Sequence, residues 1–384
     1  MRLLNVALKY DYGLRPRGLS FEHNNFYHAL VNMGHDVLYF DIGGLHEKYG
    51  FEKMNRLLAE VVRAEKPDLL FCVLFRYLDQ DTMRAISKSG NTITLNWFCD
   101  DQYRFEDFAR PWSPCFNWVV TTSQAALPKY QAMNFRNVIK SQWACNHAMY
   151  QKLDLPLKYD VTFVGQPNPE RRRLVRRLTD SGVAVSTWGV GWDNGRVSQD
   201  DMIRIFNQSR INLNFTGGGV PLTKIRARTL YGRIRRWISL TSDRAPFGKQ
   251  LKAMLKRSPQ VQEAASRPEG EGFVKQIKGR NFEIPGCGGF MLSGRAENIE
   301  EYYGDDVEAA YFNTDDELIE RARYYLEDED ERARIAQAGY ERTLREHTYA
   351  HRFTEIFRRI DLPSPSLDDI FAGKVRAGET VEIQ

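Results

Sequence analysis

Cysteine is scarce in the 384-residue sequence: it contains five, an odd number, scattered without metal-ligand spacing. They are Cys72, Cys99, Cys115, Cys145 and Cys287. Such cysteines are typical of a reducing compartment, where a buried thiol behaves as a small hydrophobic group. The sequence also lacks an apolar run long enough to span a bilayer, and its first residues turn polar too early for a signal peptide. We therefore expect a cytoplasmic protein that uses no metal ion.

A large excess of charge of one sign is also missing. The formal net charge is +4 and the pI is about 8.7, which is too weakly basic to establish a nucleic-acid or membrane partner. Hydrophobic residues make up 42% of the chain and charged residues 27%, as in ordinary globular proteins. The length is comfortable for two hydrophobic cores, so we expect two domains.

Strands and helices alternate along the chain. The apolar segments LLNVALKY, HDVLYFD, DLLFCVLF and TITLNWF are predicted strands, and segments of helical periodicity separate them. The alternation starts again at KYDVTFVG, after the proline-bearing stretch QKLDLPLKYD. This pattern is typical of doubly wound parallel sheets. We predict an α/β protein with two Rossmann-like domains, residues 1–155 and 156–360, that face a cleft, and a weakly ordered or surface-draped tail, residues 361–384.

An insertion at residues 217–274 is far longer than the connection that such a domain needs. Its basic residues are Lys224, Arg226, Arg228, Arg233, Arg235 and Arg236. Three interpretations are open for residues 224–238. We favour a solvated helix that packs on its parent domain through Trp237. We rank contact with an anionic membrane surface second and contact with a nucleic-acid backbone third.

The stretch QIKGRNFEIPGCGGFMLSG, residues 276–294, combines basic residues with a predicted helix start at Asn281. Free N–H groups at a helix start attract phosphate, and Lys278 and Arg280 flank this one. An arginine binds a diphosphate through a bidentate fork, and a lysine binds it as a point charge. The stretch therefore predicts a diphosphate site.

Three further residues of this stretch fit a nucleotide. Glu283 lies in the first helical turn, where its carboxylate can accept hydrogen bonds from ribose hydroxyls. Gly288 and Gly289 allow the backbone to approach a ligand closely. The alternative is a capped amphipathic helix whose basic residues are solvated, since short glycine-rich signals are weak.

Several segments together carry a family resemblance. INLNF, QIKGRNFEIPGCGGFMLSG and YFNTDDELIERARYYL resemble the C-terminal domain of GT-B glycosyltransferases of the group 1 type, and within them the CgeB-like, spore-maturation-like group. FVGQPNPERRRLVRRL resembles the first strand and helix of that domain, and NWFCDD resembles a strand end in the N-terminal domain. The resemblance implies transfer of a sugar from a nucleotide-diphosphate donor, such as a UDP- or GDP-sugar, to a hydroxyl group, with no cofactor. It also implies that the C-terminal domain holds the donor and the N-terminal domain the acceptor.

The resemblance also assigns residues. Glu283 matches the glutamate that binds the donor ribose, and Lys278 and Arg280 match basic positions near the diphosphate. Gly165 matches the loop after the first strand of the C-terminal domain. Many retaining relatives carry a second glutamate eight positions earlier, where this chain has Lys275, so the stereochemical outcome stays open.

Candidate catalytic groups follow from the chemistry of a departing nucleoside diphosphate. Arg280 is placed to stabilise charge on the phosphate oxygens. An inverting enzyme needs a base, and Asp100 and Asp101 follow a predicted strand, where a cleft is expected. Glu22 and His23 are weaker candidates. A helix cap or solvated loop is the alternative role for either aspartate.

Two other functions remain open from the sequence. The protein can be a glycosyltransferase that modifies nucleic-acid bases, or a binding module for nucleotide sugars that has no catalytic activity. Family analogy alone suggests an acceptor in cell-envelope, spore-coat or polysaccharide glycosylation. His347 and Tyr349, in EHTYAHR, match a family signature that we interpret as a structural anchor for a helix returning to the N-terminal domain.

Overall fold

The computed structural model describes residues 1–74, 77–217 and 275–383. Its first domain is built on a parallel sheet in the order β2-β1-β3-β4-β5-β6. These strands are β1 (Arg2–Ala7), β2 (Asp36–Asp41), β3 (Leu69–Cys72), β4 (Ile93–Phe98), β5 (Trp118–Thr121) and β6 (Val138–Lys140). Helices pack on both faces, as the alternation of strands and helices predicts.

The helices of this domain begin with a π-helical turn, His23–Tyr27, that continues into α1. They are α1 (His28–Asn32), α2 (Ile42–Glu65), α3 (Gln80–Lys88), α4 (Asp101–Arg104), α5 (Arg110–Trp112) and α6 (Leu127–Ala132). A second π-helical turn covers Phe105–Ala109. Short 3₁₀ turns cover Asp11–Gly13, Arg15–Arg17, Ser113–Cys115 and Gln124–Ala126.

The second domain is built on a five-stranded parallel sheet in the order β11-β10-β9-β7-β8. Its strands are β7 (Tyr159–Val164), β8 (Val185–Trp188), β9 (Ser209–Asn214), β10 (Met291–Gly294) and β11 (Ala310–Phe312). Its helices are α7 (Pro169–Asp180), α8 (Gln199–Asn207), α9 (Arg280–Gly286), α10 (Asp315–Glu327) and α11 (Glu329–Glu346), with a 3₁₀ turn at Ile299–Glu301. Two packed parallel sheets of this kind confirm the predicted fold class.

Local sequence signals explain where several helices start. The N–H of His23 donates to Ser20 Oγ (3.0 Å), so the Ser20 hydroxyl caps the start of this helix. The N–H of Arg171 donates to Asn168 Oδ1 (2.8 Å), and Pro169 follows at the first helical position. A polar cap side chain replaces the missing backbone acceptor at each of these helix starts.

The end of the chain returns to the first domain. Helix α12 (Tyr349–Arg359) buries Tyr349 and Phe353 in the core that also contains Leu3 and Phe26. After α13 (Leu367–Phe371), strand β12 (Thr380–Glu382) pairs in parallel with β2 at the edge of the sheet. The tail, which we expected to be weakly ordered or draped over the surface, is thus largely exposed, but residues 380–382 form the seventh strand of the first sheet.

Two segments connect the domains, and they lie side by side. The N–H of Cys145 donates to His347 O (2.9 Å), and the N–H of Tyr349 donates to Cys145 O (3.0 Å). His347 Nε2 also lies 2.9 Å from Tyr302 O, and burial lowers the pKa of the His347 imidazole to about 4. The predicted anchor at His347 and Tyr349 is where the chain crosses between domains.

Helix α9 packs closely on this crossing. A Cβ atom at Gly286 would lie 2.3 Å from Cys145 Sγ, so only glycine fits there. We expect Gly286→Ala to lower the free energy of unfolding by about 1–3 kcal/mol through overpacking, measured by urea denaturation. Replacing Cys145 by Ala in the same chain removes the clashing sulfur, so the double variant should lose less stability than the two single variants added together. Simple additivity of the two losses would contradict the contact.

Candidate functional site

The carboxyl ends of the strands of both sheets face a cleft that contains two neighbouring pockets. The central pocket, of about 530 Å³, is lined by both domains and includes Glu22, Asp100 and Lys278. A second pocket, of about 670 Å³, includes Gly165 and Arg280, for which we call it the second-domain pocket, but residues of the first domain, such as Arg17 and Asn24, also line it. Both volumes lie within the range of small-molecule sites in proteins.

Three cations gather at this edge of the second sheet. Arg171, in the first turn of α7, donates to Gln166 O (2.8 Å) and Phe215 O (3.3 Å). The Arg171 charge repels that of Lys278 and helps to lower the pKa of Lys278. Burial and the Arg280 charge lower the pKa of Arg171 itself. Carbonyl oxygens hold Arg171 in place, and the neighbouring Glu170 carboxylate opposes the effect of burial and of Arg280 on its pKa, but no ion pair with Arg171 forms within the described residues.

Lys278 faces the first domain. Burial lowers the pKa of its ammonium group to about 8, and the Asp100 carboxylate acts in the opposite direction. Both side chains line the central pocket. This arrangement places a buried cation of one domain opposite a carboxylate of the other.

Glu283 is wholly buried, and only one of its two carboxylate oxygens is hydrogen-bonded. Oε2 pairs with Arg280 Nη1, whereas Oε1 has no hydrogen-bond partner within the described residues. A Cβ atom at Gly279 would lie 3.2 Å from that oxygen and 2.8 Å from the Phe21 ring. Gly279, which lines the central pocket, therefore keeps space open beside an unsatisfied acceptor.

Gly165 lies directly after β7 in a tight backbone arrangement. Trp192 Nε1 donates to Gly165 O (2.8 Å), and a Cβ atom at Gly189 would lie 2.3 Å from that oxygen. Gly189 has a φ of +140°, a conformation that favours glycine. Both glycines line the second-domain pocket, so the chain backbone forms part of its wall.

The structure corrects three predicted binding residues. Asn281 is wholly buried: its Nδ2 donates to Ser293 Oγ (3.1 Å), and its Oδ1 accepts from the Lys278 N–H (2.9 Å). Helix α9 begins one residue before Asn281 and has only seven residues. Gly288 and Gly289 follow the far end of α9, before β10, where Cβ atoms would meet Lys152 (2.9 Å) and Asn212 (2.7 Å). None of the three lines either pocket of the cleft, and their contacts position the local chain.

Of the four candidate bases of the first domain, two line the cleft and two lie in the interior. Asp100, at the start of α4, lines the central pocket together with Glu22, and burial raises the pKa of Glu22. Asp101 is 1% exposed and accepts from Tyr130 Oη (2.9 Å), so its carboxylate points into the first domain. His23 is buried against Tyr39, and burial lowers the pKa of its imidazole to about 4. The cleft therefore presents Asp100 and Glu22, and Asp101 and His23 are corrected to interior positions.

Arg171 is the main cleft residue that the sequence analysis missed. It lies in a run of arginines, PERRRLVRR, in which each residue resembles its neighbours. The folded structure distinguishes it, because its charge acts on Lys278 and is acted on by Arg280, whereas its neighbour Arg172 packs on Trp192. The sequence did contain one signal for Arg171. It lies in the first turn of the helix that follows the first strand of its domain, and a helix start of this kind attracts anions.

The membrane and nucleic-acid interpretations of residues 224–238 lie outside the described residues. Within the described ranges, none of the helices combines the length and apolar character needed to cross a bilayer. The same ranges contain no group of three or more His, Cys, Asp or Glu residues that could hold a metal ion. Metal independence stays a prediction.

Comparison with known proteins adds to this geometry. Residues 242–358 match the model of a family described as glycosyl transferase-like. HepE from Anabaena, solved with UDP-glucose, superimposes with a TM-score of 0.56 at 11% identity, over 94% of this chain and 99% of that chain. Sucrose-phosphate synthase from Thermosynechococcus elongatus superimposes with a TM-score of 0.55 at 9% identity, over 94% and 99%. The search of curated proteins found no match.

The protein has the GT-B fold. The GT-B fold places two parallel-sheet domains on either side of a cleft, as observed here. At these identities the likeness to solved structures concerns the fold. The narrower resemblance to the CgeB-like group stays a prediction.

Asp101 generates a prediction about stability. Burial raises the pKa of its carboxyl from the ordinary 3.8 to about 6, so above pH 6 the folded protein carries the full cost of a buried charge. Asp101→Asn should therefore raise the free energy of unfolding by about 1–3 kcal/mol at pH 7, and this gain should vanish as the pH falls below about 4. Thermal denaturation between pH 4 and 8 measures it.

Asp100→Asn is the matched control, because it alters the neighbouring, partly exposed carboxylate. This control should show no comparable gain that depends on pH. Destabilisation by Asp101→Asn of equal size at every pH would contradict the argument and assign Asp101 to a required hydrogen-bond network.

Proposed function

We propose that the protein is a glycosyltransferase that moves a sugar from a nucleotide-diphosphate sugar to a hydroxyl acceptor. One observation carries the proposal: Lys278 and Arg280 line neighbouring pockets of the cleft, Arg171 lies near both of them, and Lys278 faces Asp100 of the first domain. A diphosphate carries the charge that such a group of desolvated cations binds. The match of residues 242–358 to a glycosyl transferase-like family supports the same function.

The donor is assigned to the second domain. Its diphosphate lies against the three cations, and its ribose hydroxyls donate to Glu283 Oε1, which has no other partner among the described residues. The HepE structures contain UDP and UDP-glucose, which supports a uridine nucleotide as the first donor to test. The acceptor hydroxyl then enters through the central pocket, beside Asp100 and Glu22.

The reaction breaks the bond between the anomeric carbon and the diphosphate oxygen, and the electron pair stays on that oxygen. Arg280 and Lys278 stabilise the developing negative charge through a preorganised field. The acceptor oxygen forms the new bond to the anomeric carbon, and its proton passes to a carboxylate of the first domain. Asp100 is the proposed acceptor of this proton, because it faces Lys278 across the central pocket.

Glu283→Gln tests the donor site. We expect the dissociation constant for UDP to rise about 10- to 100-fold, because a charged acceptor of hydrogen bonds from the ribose hydroxyls is replaced by a neutral one. Isothermal titration calorimetry measures the affinity, and release of UDP from UDP-glucose, with and without added sugar acceptors, measures turnover. Glu320→Gln, on the exposed side of α10, is the control and should bind as the unaltered protein does.

Three outcomes of this experiment distinguish the functions. Binding of UDP with turnover of a UDP-sugar supports the transferase. Tight binding without turnover of any nucleotide sugar favours the non-catalytic module. Absence of binding to every nucleoside diphosphate would overturn the proposal.

Lys278 generates a prediction about pH. Because burial lowers the pKa of its ammonium to about 8, the free protein loses this charge as the pH rises through 8. The affinity for UDP should therefore be constant below about pH 7 and fall about tenfold between pH 7.5 and 9.5. Lys278→Gln should bind more weakly and show no such fall, and an identical pH profile in the variant would assign the effect to another group.

A further inference from the structure

A third, much smaller pocket of about 40 Å³, which we call the polar pocket, lies between the domains and adjoins the central pocket. Gln276 lines both pockets. One wall follows β5 and β6 of the first domain, and the opposite wall comes from residues 275–277 and the loop after β10. Apart from Ile277, every side chain that lines it is polar or charged. Its position beside the proposed reaction site and its polarity suit a part of a sugar substrate.

Lys140 supplies a poorly compensated positive charge to this pocket. Its ammonium donates to Ser141 O (2.9 Å) and lies 3.4 Å from Tyr302 Oη, both of which are neutral. No carboxylate of the described chain lies within ion-pair distance of it. Burial and the charge of Arg352 lower the pKa of Lys140 to about 8, which means that its surroundings disfavour the charged form of the ammonium group.

Lys275 brings a second cation to the opposite side of the same pocket. One carboxylate, Glu297, also lines it, and Glu301 lies close enough to affect Lys140, but both glutamates are exposed to solvent. Buried Asp101 also raises the pKa of Lys140, but it does not line the pocket. Exposed carboxylates are screened by water, so they neutralise a buried ammonium only weakly. Lys275 is also exposed, so the main anion-binding group is Lys140, whose ammonium forms no ion pair within the described residues and remains available to a ligand.

Two amide oxygens complete the pocket. Gln102 Oε1 and Gln276 Oε1 are buried and have no hydrogen-bond partner among the described residues. These oxygens accept hydrogen bonds, so the groups that satisfy them are donors such as sugar hydroxyls. Cations and free acceptors in one pocket match a ligand that carries both hydroxyl groups and a negative charge.

We propose that the polar pocket binds the anionic group of an acidic sugar, a carboxylate or a phosphate, between Lys140 and Lys275. This inference rests on the proposed transferase function and specifies its substrate class. The acidic sugar is either the one being transferred or the acceptor, because the pocket adjoins the place where both meet. Gln102 and Gln276 then accept hydrogen bonds from its hydroxyls.

The test uses the full chain, Lys140→Met, Lys275→Met, and Lys88→Met as a control at an exposed lysine outside the cleft. In the first arm, calorimetry compares UDP-glucuronate with UDP-glucose. In the second arm, the UDP-saturated protein is titrated with glucuronate, glucose 6-phosphate and glucose. We expect the acidic ligand to bind at least about tenfold more tightly than the neutral one in one arm, which identifies donor or acceptor.

The variants then locate the effect. Lys140→Met and Lys275→Met should each reduce that preference about tenfold while leaving the affinity for UDP alone unchanged, and Lys88→Met should change neither. Equal binding of acidic and neutral ligands in both arms, or a preference that survives both substitutions, overturns this inference alone if UDP still binds. Failure of UDP to bind any of the proteins overturns the proposed function and this inference with it.

Discussion

Two chain segments pass between the domains, and the backbone hydrogen bonds between them set the geometry of the cleft. Cys145 lies beside residues 347–349, with one bond in each direction. Helix α9, which begins at Arg280, ends in close contact with Cys145 at Gly286. The segment that carries the cations is thus attached to the same junction that joins the two sheets. Any change in the angle between the domains must therefore alter the backbone conformation or the hydrogen bonds at this junction.

Carboxylates lie near the cations of the cleft, but among the described residues only Arg280 of the three cations forms an ion pair with one of them. Arg171 is held by carbonyl oxygens, and Arg280 shares the one buried partner, Glu283. Carbonyl dipoles orient a guanidinium but leave its charge available to a ligand. Desolvation of these groups lowers the stability of the empty protein, and an anion that enters the cleft offsets this cost. We regard this as the physical reason for assigning ligand binding to this edge of the sheet.

Much of the fold could be predicted because its signals are local. Ser20, Asn168 and Pro169 mark helix starts through bonds within a few residues, and the apolar strands are buried on both faces. Side-chain direction could not be predicted in this way. Asp100 and Asp101 are adjacent and chemically identical, yet only the packing of Tyr130 decides which of them turns inward. The strand formed by residues 380–382 was missed because a short, exposed edge strand carries almost no pattern of its own.

The return of the chain to the first sheet has a consequence for synthesis on the ribosome. Strand β2 emerges early, whereas its neighbour β12 and the apolar face of α12 emerge last. The nascent first domain therefore exposes the surface around Phe26 and Phe71 until residues 349–360 have emerged from the ribosome, and only then can it complete its core. Premature termination near residue 348 would leave this surface uncovered, so even a late nonsense codon should yield an aggregation-prone product.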